Sequence, residues 1–252
     1  MHIVVLGAGV IGATTAWYLR EAGHEVTVLE RRGDAAQETS FANGGQISVS
    51  HAEPWAGPGA PRQLARWLFA PESPLRFQSQ LDWHQWRWGL QFLRECSTSR
   101  YQRNLRQVVE LGLYSRGCLQ ALRKRTGIEY HQRAEGILHF YTNGHVFDKA
   151  REPARRMTEL GCERRIIDRH EATRIEPALD GIGDRIQGAT YTPGDESGDA
   201  RLFTQRLAAM AAEAGVRFHY NTRIMGLETD RGRISGVRVN QDGAFERIEG
   251  DA

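Results

Sequence analysis

The sequence predicts an α/β fold in which a parallel sheet and its covering helices are interrupted by a long mixed α+β insertion. Three observations carry that expectation. The chain opens with strand, glycine turn, helix, strand and acid in register; a second helix-strand pair returns after Asp199; and the stretch between them alternates helices and strands of different patterning. The organisation expected is residues 1–50 as the first segment of the core domain, 51–195 as the inserted region and 196–252 as the second segment, left incomplete.

The run Ile3 to Leu6 is apolar and β-branched, the composition of a strand buried on both faces. Gly7 then permits a tight exit from the strand, Gly9 lets backbone approach a pyrophosphate, and Gly12 lets the following helix pack close to the sheet. From Gly12 to Ala22, Ala16, Trp17 and Leu19 recur at helical spacing, and Gly23 stands where the helix stops. Unpaired N–H groups and the positive dipole end at that helix start favour a diphosphate. The strand Glu25 to Leu29 ends in Glu30, 23 positions after Gly7 and near the place of a ribose-binding carboxylate. A carboxylate there repels a 2′-phosphate and disfavours NADP, although Arg31 and Arg32 beside it keep that alternative open. A bound dinucleotide is expected; a turn that binds nothing accounts for neither Gly9 nor Glu30.

With 252 residues, 40% hydrophobic and 25% charged, the chain has room for one large or two modest cores. A net charge of +2 and dispersed arginines make no strong case for a nucleic-acid or anionic-lipid surface. Cys96, Cys118 and Cys162 are odd in number and without C-x-x-C spacing, so neither a disulfide framework nor a metal site is expected, and a reducing compartment is the simplest inference. Ile3 to Leu19 runs 17 residues without a charge. It lacks the preceding basic residue and small-residue cleavage site of a signal peptide, and its glycines weaken a spanning helix.

Beyond Glu30, the cluster Ser40, Asn43, Gly44 and Gly45 ahead of Ile47 and Val49 reads either as an ordinary loop or as a second phosphate contact. Residues 52–74 read as an irregular excursion broken by Trp67, Leu68 and Phe69. Trp83, Trp86, Leu90 and Leu93 fall on one helical stripe with Trp88 and Phe92 beside it; core is the ordinary destination, and an exposed patch against a membrane or partner is the alternative. A long amphipathic helix is expected from Asn104 to Lys124, with Leu105, Val108, Val109, Leu119 and Leu122 inward and Gly127 near its end. Gly136 to Asn143 reads as a strand closed by an Asn143-Gly144 turn, and Glu152 to Leu160 as a short helix stopped by Gly161. With Gly188 to Asp199 this suggests a second, mostly β region. Asp199 is a good N-cap for a helix Ala200 to Ala214 that faces inward with Phe203, Leu207 and Met210, ends at Gly215 and leads into a strand, Val216 to Tyr220. Arg223 to Ile248 reads as a β-meander with turns at Asp230–Gly232 and Asp242-Gly243. His51, His84 and His139 read as structural or surface groups, and Tyr191 and Arg201 have no better support as catalysts.

The segments IVVLGAGVIGATTAWYL with VLERR, SFANGGQIS, WRWGLQFLREC, and YTPGDESGDARLFTQRLA with GVRFHYNTRIMGLE resemble the N-terminal part of the D-amino-acid dehydrogenases, in the FAD-dependent D-amino-acid oxidase and glycine oxidase superfamily. The resemblance covers essentially the whole chain. It implies an FAD-binding Rossmann-like domain with an inserted mixed α+β substrate domain, the C-terminal part being absent. It implies further that Gly7, Ala8, Gly9, Val10, Ile11 and Gly12 wrap the FAD pyrophosphate, that Glu30 holds the adenosine ribose and that Arg31 lies on the adenine side. Ser40, Asn43, Gly44, Gly45 and Gln46 match the loop approaching the flavin and its phosphates, and Ile224 stands where the family usually has a Val touching adenine through its backbone.

The activity so implied is hydride transfer from the Cα of a D-amino acid, D-alanine for one, to the flavin, with the imino acid hydrolysed to a 2-oxo acid and ammonia. Electrons then pass to a quinone or other carrier, on the cytoplasmic side and peripheral to the inner membrane, with the Trp-rich helix a candidate contact and no nucleic-acid partner. The resemblance places the substrate-carboxylate residues beyond residue 252, so no catalytic residue is named. A glycine- or sarcosine-type amine oxidase using O₂, and an inactive flavin-binding fragment, are the alternatives.

Overall fold

The computed structural model describes residues 1–68, 82–241 and 243–251; Phe69, Pro74 and Asp242 of the sequence reading lie outside the described residues. In chain order the elements begin with β1 (His2–Leu6), α1 (Val10–Glu21), β2 (Glu25–Leu29), α2 (Ala60–Leu68), α3 (Trp83–Glu95) and α4 (Thr98–Thr126). There follow β3 (Ile137–Tyr141), α5 (Gly144–Glu159), β4 (Arg165–Ile167), α6 (Arg169–Ile175), β5 (Gly188–Thr192) and α7 (Ala200–Glu213). Last come β6 (Arg217–His219), β7 (Thr222–Asp230), β8 (Arg233–Gln241) and β9 (Ala244–Glu249). They divide into two compact units: residues 1–46, 121–133 and 197–252, and residues 47–120 and 134–196.

The first unit is layered around a parallel sheet of order β1-β2-β6, with Val4 opposite Thr27 and Val28 opposite Phe218. The period-2 alternation of β2 divides its residues between two cores. Val26 and Val28, with Val5, pack against Ala13 and Ala16 of α1 and Ala208 and Ala211 of α7. Leu29, with Val4, packs on the other side against Val237, Val239, Ile224 and Ile248 of the antiparallel meander β7-β8-β9. Alanine at all four helix positions removes the side-chain bulk between α1, α7 and the strands. From Val26 on, β2 is fully buried on both faces, whereas β1 is only partly buried on both, Val5 in one core and Val4 in the other, with Leu6 44% exposed. The physical reason is position: β1 is an edge strand among the described residues, and β2 is central.

Asp199 caps α7 as its sequence implies, its Oδ1 accepting from the Leu202 N–H at 2.9 Å, a contribution of about 1 kcal/mol. Residues 121–133 join this unit although they fall inside the stretch 51–195 of the sequence reading. Arg125 pairs with Glu21 at 2.9 Å, and the Tyr130 ring meets that of Phe203 edge-on at 5.1 Å.

The second unit contains a three-stranded antiparallel sheet of order β3-β5-β4. One core gathers Val49, Leu105, Val109, Met157 and Cys162; another gathers Ile167, Ala172 and Ala189 with Leu138 and Tyr191. Several expectations are corrected here. Asn143 does not close a hairpin: its Oδ1 accepts from the Val146 N–H and caps α5, which starts eight residues before the expected helix at Glu152. Asparagine serves both motifs, and the helix wins because the following residues run on in helical register past Pro153. The 52–74 excursion contains a helix, α2. On α4, Leu105 and Val109 are buried as expected but Val108 points outward. The Trp83, Trp86, Leu90 and Leu93 stripe of α3 is exposed rather than core, and α3 has no buried residue.

A close steric constraint sits between α1 and the turn that precedes it. A Cβ on Gly12 would overlap the Gly7 carbonyl oxygen, a backbone atom that cannot rotate away. Gly12→Ala is therefore expected to lower unfolding free energy by about 2 kcal/mol or more. Gly232→Val at the exposed β7-β8 turn (φ +80°) tests only backbone strain and is expected to cost less; urea titrations of the two variants check the order.

Candidate functional site

The strand-to-helix turn of the first unit brings the predicted glycines, Glu30 and Ser40 together. Gly7 adopts φ +97°, a conformation that glycine supplies without steric cost, and its N–H donates to Leu29 O at 2.8 Å. The Ala8 N–H donates to Glu30 Oε2 at 2.8 Å, and the Arg32 N–H donates to Glu30 Oε1 at 2.8 Å. The buried Glu30 carboxylate is thus clamped between the turn and the end of β2, yet each oxygen keeps a further lone pair for a hydroxyl. Val10 N–H donates to Ser40 Oγ at 3.0 Å, which fixes Ser40 at the helix start.

Gly9 is the N-cap of α1 and has no side chain to cap with; no acid stands in the first turn. Helix geometry leaves the N–H groups of Gly9, Ile11 and Gly12 without intrahelical acceptors. Ile11 is exposed, and Gly9 approaches Ser40 so that even a Cβ there would sit 3.5 Å from Ser40 Oγ. A positive helix end stripped of acids, beside a clamped carboxylate, fits the phosphates and ribose of a dinucleotide.

The rest of the predicted set divides. Arg31 and Arg32 both bond Glu38 Oε1, at 2.8 and 2.6 Å. The Arg32 hydrogen bond, aided by the charge of Arg31, holds Glu38 below the usual carboxylate range. Asn43 forms a local turn, accepting from Gly45 N–H through Oδ1 and donating to Thr39 O through Nδ2. Gly45 (φ +57°) is pressed on Gly198, whose N–H donates to Gly45 O at 2.8 Å and whose own carbonyl a Cβ on Gly45 would overlap. Gly44 and Gln46 flank it, and none of these four is bonded to the Gly7–Gly12 turn among the described residues. Ile224 packs its side chain against Leu29 and pairs with Val239, while Thr222 N–H donates to Glu30 O at 2.8 Å one turn of the pleat earlier.

Two contributors escaped the sequence reading. Ala36, at φ +59°, donates its N–H to Ala8 O at 3.0 Å and braces the turn from outside. Glu38 neutralises the two arginines; the visible signal was an acid six residues past an Arg-Arg pair.

The second unit holds a separate buried polar node. Asp195 is fully buried and accepts from Val49 N–H at 3.0 Å, Ser50 N–H at 3.3 Å, Ser48 Oγ at 2.8 Å and Ser50 Oγ at 2.6 Å, with Arg116 at 3.5 Å. Arg164, also buried, donates to Ser50 O at 3.2 Å and pairs with Glu53 at 3.3 Å. Nearby, His139 meets the His51 ring edge-on at 4.5 Å, and its Nε2 is buried without a partner. Burial, reinforced by His51 and Arg164, pushes the His139 pKa down to about 4. Burial and the Asp195 charge push the Cys162 thiol up to about 11, so it stays protonated. His84 sits exposed at the start of α3; Tyr191 donates its hydroxyl to Glu135 O, and Arg201 lies over the Phe41 ring at 4.2 Å.

Comparison with known proteins adds the following. A family model described as FAD dependent oxidoreductase matches residues 2–249. The chain is 47% identical over 253 aligned residues to a D-amino acid dehydrogenase of Dechloromonas aromatica (strain RCB), covering 100% of this chain and 60% of that protein. It is 48% identical over 241 residues to a D-amino acid dehydrogenase of Paramagnetospirillum magneticum (strain ATCC 700264 / AMB-1), covering 95% and 57%. The chain therefore spans about 60% of the length of the curated relatives it matches. Among solved structures, glycine oxidase from Geobacillus kaustophilus superposes with a TM-score of 0.66 at 21% identity, over 99% of this chain and 53% of that one, a likeness of fold.

Two outcomes follow from the second unit. Asp195→Asn removes the charge that faces Arg116 and turns one acceptor into a donor, so a loss of about 2–4 kcal/mol is expected in urea unfolding. The unfolded chain protonates His139 near 6.5 and the folded chain only near 4, so stability falls as pH drops across that window. Melting His139→Leu alongside the parent from pH 7 to pH 4 checks it: the parent should lose more, and parallel curves would refute the assignment.

Proposed function

The chain belongs to the FAD-dependent oxidoreductase family that matches nearly all of it, and from that premise we propose that it forms the cofactor-holding part of a D-amino-acid dehydrogenase. The reaction proposed is oxidative deamination: a D-amino acid and water give a 2-oxo acid and ammonia, and two electrons leave to a quinone or other carrier. The observation that carries this reading is 44–48% identity to D-amino acid dehydrogenases over at least 95% of the chain. Identity to glycine oxidases is 20–21%, which speaks to fold and not to the electron acceptor.

FAD, when bound, supplies the two-electron acceptor that no amino-acid side chain can. This chain's residues hold it. The N–H groups at the start of α1 would hold its pyrophosphate and Glu30 would accept from ribose hydroxyls with its remaining lone pairs, while Ser40 keeps the Val10 N–H occupied so that the helix end stays in place. Arg31, held by Glu38, would lie on the adenine side, and the Asn43–Gln46 loop, pinned at Gly45, would approach the flavin. Ile224 would touch adenine through its backbone from β7. D-alanine is the substrate proposed, with the protein on the cytoplasmic side, peripheral to the inner membrane. None of this chain's side chains is assigned as catalytic.

Purified chain mixed with FAD and desalted is expected to keep the absorbance bands of bound flavin; tight NAD binding without flavin bands would end the cofactor assignment. Glu30→Gln should weaken FAD binding about 10- to 100-fold by titration, the worth of a hydrogen bond to a charged group. In a full-length D-amino acid dehydrogenase that contains this chain, D-alanine and an artificial quinone should give 2-oxo acid without matching hydrogen peroxide. Stoichiometric peroxide would favour the oxidase alternative.

A further inference from the structure

The start of α7 grips the segment 34–45, which itself braces the Gly7–Gly12 turn through Ala36 and Ser40. There are three points of contact in succession. Gln205 Nε2 donates to Asp34 Oδ2 at 2.6 Å, Arg201 lies over the Phe41 ring at 4.2 Å, and the Gly198 N–H, just ahead of the helix, donates to Gly45 O at 2.8 Å. Arg201 and Gln205 are four residues apart and so share one face of α7. The gripping side is firmly seated: Asp199 N–H donates to Tyr130 O at 2.8 Å, and Gly198 lies so close on the Tyr130 ring that a Cβ there would stand 2.5 Å from it. The gripped side has fewer supports. Between Glu38 and Gly45 only Ser40 is buried, so the shape of that loop rests on a few contacts.

The middle contact differs in kind from the other two. Arg201 Nε is shut off from water and has no hydrogen-bond partner among the described residues. Carboxylates near it in the chain and along the helix are already committed: Asp199 Oδ1 accepts from Leu202 N–H, and Asp34 accepts from Ala35 N–H as well as from Gln205. The guanidinium therefore leans on the ring of Phe41, where its charge meets the negative face of the π system. Being flat and weakly hydrated, it stacks where an ammonium would stay in water. Phe41 is 50% exposed, so its ring is not locked by a surrounding core. It follows Ser40, whose Oγ accepts from Val10 N–H at 3.0 Å, and precedes Asn43, whose Oδ1 accepts from Gly45 N–H at 2.7 Å. Whatever fixes Phe41 thus fixes the direction in which the loop leaves the start of α1.

We propose that Arg201 is a positioning residue for the flavin half of the dinucleotide: stacked on Phe41, it holds the loop from Phe41 to Gly45 in the shape that receives the flavin. This rests on the FAD assignment above and deepens it by naming a residue outside the Gly7–Gly12 turn, Glu30 and the loop itself. FAD and ADP are titrated calorimetrically into the full chain and its variants. ADP carries the ribose and the two phosphates that Glu30 and the α1 N–H groups would hold, and it lacks the flavin. Arg201→Gln and Phe41→Leu should each weaken FAD binding about fivefold, the worth of a cation–π contact, with ADP affinity unchanged. The double variant should be no weaker than either single one, because both remove the same contact. Phe41→Trp, which keeps a π face, should retain the parent affinity. In the flavin-free chain the Phe41 and Gly45 amides should exchange faster in Arg201→Gln than in the parent, since their acceptors, Glu38 O and Asn43 Oδ1, belong to the same loop. Unchanged FAD affinity in the single variants, an equal loss for ADP, or losses that multiply to about 25-fold in the double variant would overturn the proposal, the last by assigning Arg201 to a direct contact with the cofactor. A parent chain that does not bind FAD would overturn the cofactor assignment and this proposal together; a parent that binds it beside indifferent variants overturns the proposal alone.

Discussion

The first unit depends on how closely α1 can approach β1. Gly12 lies where any side chain would strike the carbonyl of Gly7, so the first turn of α1 sits against the strand it has just left. That approach aims the free N–H groups of the helix at the space beside Glu30, and it lets Ala13 and Ala16 meet Ala208 and Ala211 without intervening bulk. The carboxylate in turn fastens the turn by accepting from Ala8 N–H. Fold and ligand chemistry are here one constraint: the atoms that make packing possible are those that leave the donors uncovered.

Local signals were the legible ones. Glycines with a required positive φ, an aspartate ahead of a helical run, and a carboxylate at the end of β2 declare themselves within a few residues, because their causes lie in backbone geometry nearby. The same logic misread Asn143, since an asparagine before a glycine serves a hairpin or a helix start and only the residues after it decide. It also predicted the burial of β1 from composition, when burial depends on which strands flank it. Neighbour identity is a long-range property that a run of β-branched residues does not encode.

The candidate site shows the same division. Gly7 to Gly12, Glu30 and Ser40 were found from the sequence and are joined by hydrogen bonds. Ala36 was not, since an alanine at positive φ carries no sequence mark. The periodicity of α3 was read correctly, and its direction was not: a hydrophobic stripe says that something is covered without saying whether the cover is this protein's own core. Asp195 could not be anticipated, because its partners at 48–50 lie almost 150 residues earlier in the chain.

Asp195 draws two backbone N–H groups and two hydroxyls from a single tripeptide. Such a tripeptide cannot peel away one bond at a time, since each lost donor leaves more of a fully buried charge unsolvated. Its release is all-or-none. The Val49 and Ser50 amides are consequently slow-exchanging reporters in deuterated solvent, and they open to isotope with the second unit as a whole rather than with the surface chain on either side of them.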